Sequence, residues 1–282
     1  LTLCALYRLI GIEMGEFMTL SRKCLVTTFA FAAATVVFTV LFGTPPVPVA
    51  PMADGFTTPM FALEFARSVG DLAFLQGQAA DGLRSHLQRT QELDRFFPIA
   101  YAGMAAVFFC GLLARHRGLA SIGVVLAVLT IPADWLENRY VDSVISISNP
   151  HVCISISDRE GEMMCAELDM APPFPTGTID GAVDSDVVTS RLADVLQGLQ
   201  TTTWIKWGLI ALYAALMSIL MFQDRRRILA IPGAVAALAI LATYLSGSNG
   251  HVAEIMGITL LPFMLSFPIA AIFYLRAPER TP

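Results

Sequence analysis

Asp134, Glu137 and Asn138 stand at positions i, i+3 and i+4, so a helix carrying them sets two carboxylates and an amide on one face. Such a pair can work as general acid and general base, can hold a proton or a cation, or can neutralise a lysine inside the protein. Because the three follow directly on an apolar run, they are costly near lipid unless they face a protein interior or a wet cavity. Asp94, Tyr101 and Lys206 fall at the same level, and Glu64 reaches it only if its helix folds back over the bundle. Asp94 precedes Phe96-Phe97-Pro98, and a helix that begins early stacks Asp94, Pro98 and Tyr101. Lys206 stands between Trp204 and Trp207 at the head of another apolar run, and Glu64 falls in a stretch, 61–75, whose apolar residues recur at helical spacing. Plainer readings stay open: Lys206 as a snorkelling anchor in an aromatic belt, Asp94 as a solvated first-turn carboxylate. His251, three before Glu254, reads as a helix-start residue in solvent and not as a ligand.

What must position these groups is a membrane bundle. Hydrophobic residues make up 55% and charged residues 15% of the 282, against about 25% charged in an ordinary soluble domain, and mean hydropathy is +0.64. A soluble fold of this composition would expose too much apolar surface. Six apolar stretches of bilayer-crossing length run at about 25–42, 96–114, 119–135, 204–222, 228–245 and 252–275. The fold class is therefore an all-α integral membrane protein, a six-helix transmembrane bundle forming a single domain over 21–282. Pro232 breaks the fifth span, and Pro262 and Pro268 kink the sixth. Residues 1–20 are left as a cytoplasmic or interfacial segment, with Met14 and Met18 as alternative starts ahead of Arg22-Lys23. The first span reads as a retained anchor and not a cleaved signal, since its apolar run exceeds a signal core and Pro51 after Ala50 is a poor cleavage site.

Arg22 and Lys23, Arg115 and Arg117, Arg225, Arg226 and Arg227, and Arg276 with Arg280 fall on one side if the spans alternate. That side, with both termini, is expected to be cytoplasmic and the chain to lie in a bacterial inner membrane. The other side receives two extracytoplasmic loops, 43–95 and 136–203. In the first, Thr58-Pro59 opens an amphipathic helix over 61–75. In the second, 144–148 and 152–157 alternate apolar and hydroxyl residues around Asn149-Pro150-His151, which predicts a small β-hairpin, while 186–203 reads as helix that can run on into the fourth span. Cys153 and Cys165 share this loop, and two cysteines around a Gly-containing segment in an oxidising compartment predict a disulfide. A zinc pair there would lack two ligands, only His151 being close.

The net charge of −5, with basic residues in small clumps beside the spans, gives no face for nucleic acid. There is no nucleotide loop, His-Glu-x-x-His, pair of histidine boxes or Gly-x-Ser-x-Gly frame, so no cofactor and no metal are expected. Carboxylates alone would suit Mg²⁺ or Ca²⁺ better than zinc or iron. Deep in the spans the notable polar groups are Cys110, Thr130, Tyr213, Ser218 and Thr243, none of them charged, and no internal repeat is visible, which weakens a conduction path.

Leu63-Glu64-Phe65-Ala66, Asp94 ahead of Phe96-Phe97-Pro98-Ile99-Ala100-Tyr101, Asp134-Trp135-Leu136-Glu137-Asn138 and Lys206 together resemble the pattern of a family of uncharacterised polytopic bacterial membrane proteins, over about 58–222. The Asp-x-x-Glu-Asn element is its most specific part. The resemblance carries no established activity; it implies that Glu64, Asp94, Asp134, Glu137, Asn138 and Lys206 act as a set. The residues favour an outward-facing polar pocket that binds a small molecule, an ion or a lipid head group, or that serves membrane assembly. Two alternatives stay open: an enzyme using paired carboxylates as acid and base on an outer-leaflet lipid, and a proton- or cation-coupled transporter. The bland counterpart is a structural network in which Lys206 and Arg139 neutralise Asp134, Glu137 and Glu64. Expected partners are the lipid bilayer, a lipid or small amphiphile as ligand, and another membrane protein or a second copy of the chain.

Overall fold

The computed structural model describes residues 14–42, 52–53, 55–148, 153–155, 163–165 and 185–276. Long helices α1 (Met14–Phe42), α4 (Phe97–Leu112), α5 (Arg117–Ile147), α6 (Ser185–Gln223), α7 (Arg227–Leu245) and α8 (Gly250–Arg276) are joined to the shorter α2 (Pro59–Glu64) and α3 (Asp81–Asp94). Among the described residues six helical stretches are long and apolar enough to cross a membrane, and the chain is a multi-pass membrane protein in contact with the bilayer. Their outward faces carry bare apolar side chains such as Val37, Leu238 and Ile258, as a lipid-facing surface does. Pro98 sits in the first turn of α4, where a missing N–H costs nothing. The helices α7 and α8 run on past Pro232, Pro262 and Pro268 without interruption.

The long helices close into a ring: α1 packs on α4, α4 on α5, α5 on α6, α6 on α7, α7 on α8, and α8 returns to α1. Phe108, Phe109, Tyr213, Phe263 and Phe267 fill the middle, edge to face or stacked. At one end, here the cap end, α5 and α6 project beyond the ring. A second apolar cluster forms there, Leu63, Leu72, Leu75, Leu83 and Leu87 from the first connection against Val141, Val144, Ile145, Leu192, Leu196 and Leu199. Buried Arg84 pins that cap: its Nη1 donates to the carbonyls of Leu75 at 2.5 Å and Gly77 at 3.0 Å, and its Nη2 pairs with Asp81. Glu254 at the head of α8 accepts hydrogen bonds from the amides of Thr57 and Thr58 and from Thr58 Oγ1. The other end holds the tight α4–α5 and α6–α7 connections and is called the turn end.

Three local expectations are corrected. The single helix over 61–75 is α2, ending at Glu64, followed after a break by a 3₁₀ segment, Val69–Leu75, that starts at a capping box of Ser68 and Asp71. The break lets Leu63, Phe65 and Leu72 all turn inward, which one straight helix would not. The strand expected at 144–148 is the last turn of α5 and its cap. Val141, Val144 and Ile145 pack at helical spacing, and Ser143 and Ser146 donate back to the carbonyls of Arg139 and Asp142, so those two hydroxyls are satisfied on the helix itself. The antiparallel pair is instead β1 (Cys153–Ser155) with β2 (Met163–Cys165), with Cys153 opposite Cys165. Side chains of this pair, and with them the expected disulfide, lie outside the described residues, as do 1–13 and the Pro-rich stretch at 43–51. The helical reading of 186–203 and its continuation into the fourth span match α6.

Candidate functional site at the cap end

Where α5 and α6 leave the ring, α5 turns Asp134, Glu137 and Asn138 inward on one face, at 4%, 1% and 7% exposure. From α6, Thr203, Lys206 and Trp207 face them, spaced three and four apart, and all three are buried. The end of α2 brings in Glu64. Lys206 Nζ pairs with Glu137 Oε2 and, at 3.3 Å, with Glu64 Oε2. Thr203 Oγ1 donates to Glu137 Oε1 at 2.6 Å, and Trp207 Nε1 donates to Glu64 Oε2 at 3.3 Å. The same indole lies 4.9 Å from the ammonium, which adds a cation–π contact. Lys206 is thus no snorkelling anchor: Trp207 is buried with it, and Phe61 and Phe65 pack against that indole on the cap side.

A second pair extends the group across the ring. Tyr101, buried on α4, donates to Asp134 Oδ2 at 2.5 Å and is backed by Phe97, 5.1 Å away between ring centres. Asp94, half-buried at the end of α3, lies within electrostatic range of Asp134, Lys206 and Glu64. It is the member nearest to the surface, beside exposed Arg95, whose carbonyl accepts from Trp135 Nε1 at 2.9 Å. All seven sequence-expected residues, Glu64, Asp94, Tyr101, Asp134, Glu137, Asn138 and Lys206, therefore belong to one neighbourhood. Arg139 does not; it faces outward and is exposed. Asp134 Oδ1 is buried and accepts no hydrogen bond among the described residues, while the Asn138 amide lies against the carboxyls of Asp94 and Asp134. The hydroxyl of fully buried Tyr213, one turn and more deeper on α6 and within electrostatic range of Asp134 and Tyr101, likewise has no hydrogen-bond partner among the described residues.

Sequence reading passed over Thr203 and Trp207 as site residues and treated Tyr213 as an inexpensive polar group. A signal for the first two was present, since they share the helical face of Lys206. None marked Tyr213, whose part follows from the packing of α4 against the ring. Among the described residues no three His, Cys, Asp or Glu side chains converge as a metal-binding group. Chemically the arrangement is a buried, acid-rich cluster with one ammonium, hydroxyl donors on two sides and an open acceptor at Asp134 Oδ1. No protein-family model, no curated protein and no solved structure matches the chain.

Proposed function

We propose that this membrane protein binds a small amphiphile through a cationic or hydrogen-bond-donating head group, at the cluster of Glu64, Asp94, Asp134, Glu137, Asn138 and Lys206. One observation carries the reading: four carboxylates share a buried or half-buried neighbourhood with a single ammonium, and Asp134 Oδ1 accepts no hydrogen bond among the described residues. A network built only for stability would match its charges, because an unpaired buried charge is strongly destabilising. The surplus here is met by protons or by a positively charged guest, and the open Asp134 oxygen offers that guest an acceptor. Half-buried Asp94 marks the side of entry.

The test is native mass spectrometry of protein purified in mild detergent. A co-purifying small molecule should accompany the wild type and be lost from Asp134→Asn and Glu137→Gln, while their thermal midpoints stay within a few degrees of wild type. Equal retention by both variants would rule the site out.

The orientation belongs to the same proposal: cap end outside, both termini in the cytoplasm of a bacterium, the membrane being the inner one. Its support is the run of Arg115, Arg117, Arg225, Arg226 and Arg227 at the turn end. A cytoplasm-active reporter that works when fused at Gly161 would reverse it. The β1–β2 register supports a Cys153–Cys165 disulfide in that outer loop, because directly opposed strand residues have Cα atoms about 4.5–5.5 Å apart, within disulfide reach. Thiol labelling of unreduced, denatured protein should miss both.

A further inference from the structure

Far from the cap-end cluster, Cys24 on α1 and Cys110 on α4 bring their sulfurs to 3.3 Å across a helix–helix contact. Both thiols are free and half-buried. The residues around them hold the two backbones close. A Cβ on Gly111, the neighbour of Cys110, would stand 2.6 Å from Leu25 Cγ and 3.2 Å from the Ser21 carbonyl, and Ser21 Oγ donates to the Gly111 carbonyl. Only glycine lets α1 lie this near to α4, and that approach is what sets the sulfurs together. The pair sits one residue beyond Lys23 and five before Arg115, so it lies near the turn-end boundary of the apolar segments, within reach of small neutral oxidants. With no third or fourth ligand converging among the described residues, a zinc role has no support.

We propose that Cys24 and Cys110 are a redox pair that closes into an interhelical disulfide when a hydroperoxide oxidises one of them. In the first step a thiolate sulfur attacks the O–O bond; an S–O bond forms, the O–O bond breaks, and the displaced oxygen leaves as water or alcohol with the thiol's proton. In the second, the other sulfur attacks the sulfenic sulfur; the S–S bond forms, the S–O bond breaks and water leaves. The two thiols lose two electrons and the peroxide gains them. A dithiol reductant reverses the link by thiol–disulfide exchange. The link would tie α1, whose faces away from α4 and α8 meet lipid, covalently to the ring.

The experiment uses the full chain in native membranes. Protein is exposed to hydrogen peroxide, remaining thiols are blocked with N-ethylmaleimide, and the unreduced digest is mapped by mass spectrometry. The expected result is a linked peptide containing Cys24 and Cys110, short of the two separate thiols by two hydrogen masses, abolished by dithiothreitol and absent from Cys24→Ser and from Cys110→Ser. It should form at least about ten-fold faster than in protein unfolded in SDS, because the fold holds the sulfurs at high effective concentration. Full alkylation of both cysteines after peroxide, sulfinic acid on either without the linked peptide, or equal rates in folded and unfolded protein would each overturn the proposal. These readings come from the wild-type chain, so neither variant has to fold for the test to decide.

Discussion

At the cap end Glu64, Asp134 and Glu137 are all under a tenth exposed and face one equally buried Lys206, whereas at the turn end a single half-exposed carboxylate, Asp224, is surrounded by positive and hydroxyl groups. His116 Nε2 lies 3.0 Å from Asp224 Oδ1, Tyr274 donates to Oδ2, and the guanidiniums of Arg115 and Arg226 lie over the Tyr274 ring at 5.3 and 4.3 Å. Arg225, at φ 58°, takes the left-handed conformation that ends α6 and aims the chain into α7. Burial by itself would raise the Asp224 carboxyl, but hydrogen bonds from Tyr274 and His116, with the charges of His116 and Arg115, hold it below the ordinary carboxylate range. The turn end therefore surrounds its carboxylate with cations and a hydroxyl donor, the arrangement of a structural joint. The cap end is acid-rich and buried, with one ammonium among four carboxylates. That difference, more than burial alone, is what the proposed binding role of the cap end rests on.

The comparison is broken most severely by Lys206→Met. Removing the one cation from buried Glu137 and Glu64 should cost about 3–5 kcal/mol of stability, read as a large drop in thermal midpoint in detergent. Adding Glu137→Gln and Glu64→Gln should recover much of it, since the stranded charges are then gone. An unchanged midpoint in Lys206→Met would mean that the lysine reaches water and the cluster is not closed.

Two glycine substitutions separate the ends more finely. A Cβ on Gly198 runs into the Tyr140 ring where α5 meets α6 above the cluster, and one on Gly233 would stand 2.6 Å from the Ala214 carbonyl where α6 meets α7. Each Gly→Ala change should destabilise by about 1–3 kcal/mol through forced helix separation. Only Gly198→Ala should also lower retention of the co-purifying molecule, because it shifts Glu137 against Lys206. Loss of retention in Gly233→Ala, with Gly198→Ala unaffected, would move the site away from the cap end.

The smallest effect belongs to the turn end. Tyr274→Phe removes one hydrogen bond to Asp224 and should cost about 1 kcal/mol at neutral pH. Because the folded carboxyl titrates lower than the unfolded one, its contribution is complete above the usual Asp value of about 4 and disappears as pH falls through the lower folded value. Wild type should therefore lose more stability than Asp224→Asn on acidification below about pH 4, with the two curves parallel above it. Curves that diverge above pH 5 would deny Asp224 this role.

How much of this was readable beforehand depends on whether the physics is local. Span length and hydrophobicity are properties of a continuous segment, so all six apolar stretches could be placed from residue order, and the common face of Asp134, Glu137 and Asn138 follows from 3.6 residues per turn. The alternation at 144–148 misled because Val144 and Ile145 are helical core positions and the Ser146 hydroxyl bonds back to its own helix as readily as it would line a strand. Trp207 looked like half of an interfacial pair with Trp204, since nothing near it in sequence tells of Phe61 and Phe65 packing against it.

By itself, then, the sequence determined that the chain is a multi-pass helical bundle and that its awkward charges fall near one level, because periodicity and transfer into hydrocarbon act residue by residue along a helix. Only the tertiary structure decided which charges meet. Glu64 reaches Lys206 because α2 breaks at Phe65 and folds over the ring, Tyr101 reaches Asp134 because α4 packs beside α5, and Cys24 touches Cys110 because Gly111 admits α1. Each of these contacts joins segments far apart in the chain, and their positions are set by the order and closeness of helix packing, which no single segment encodes.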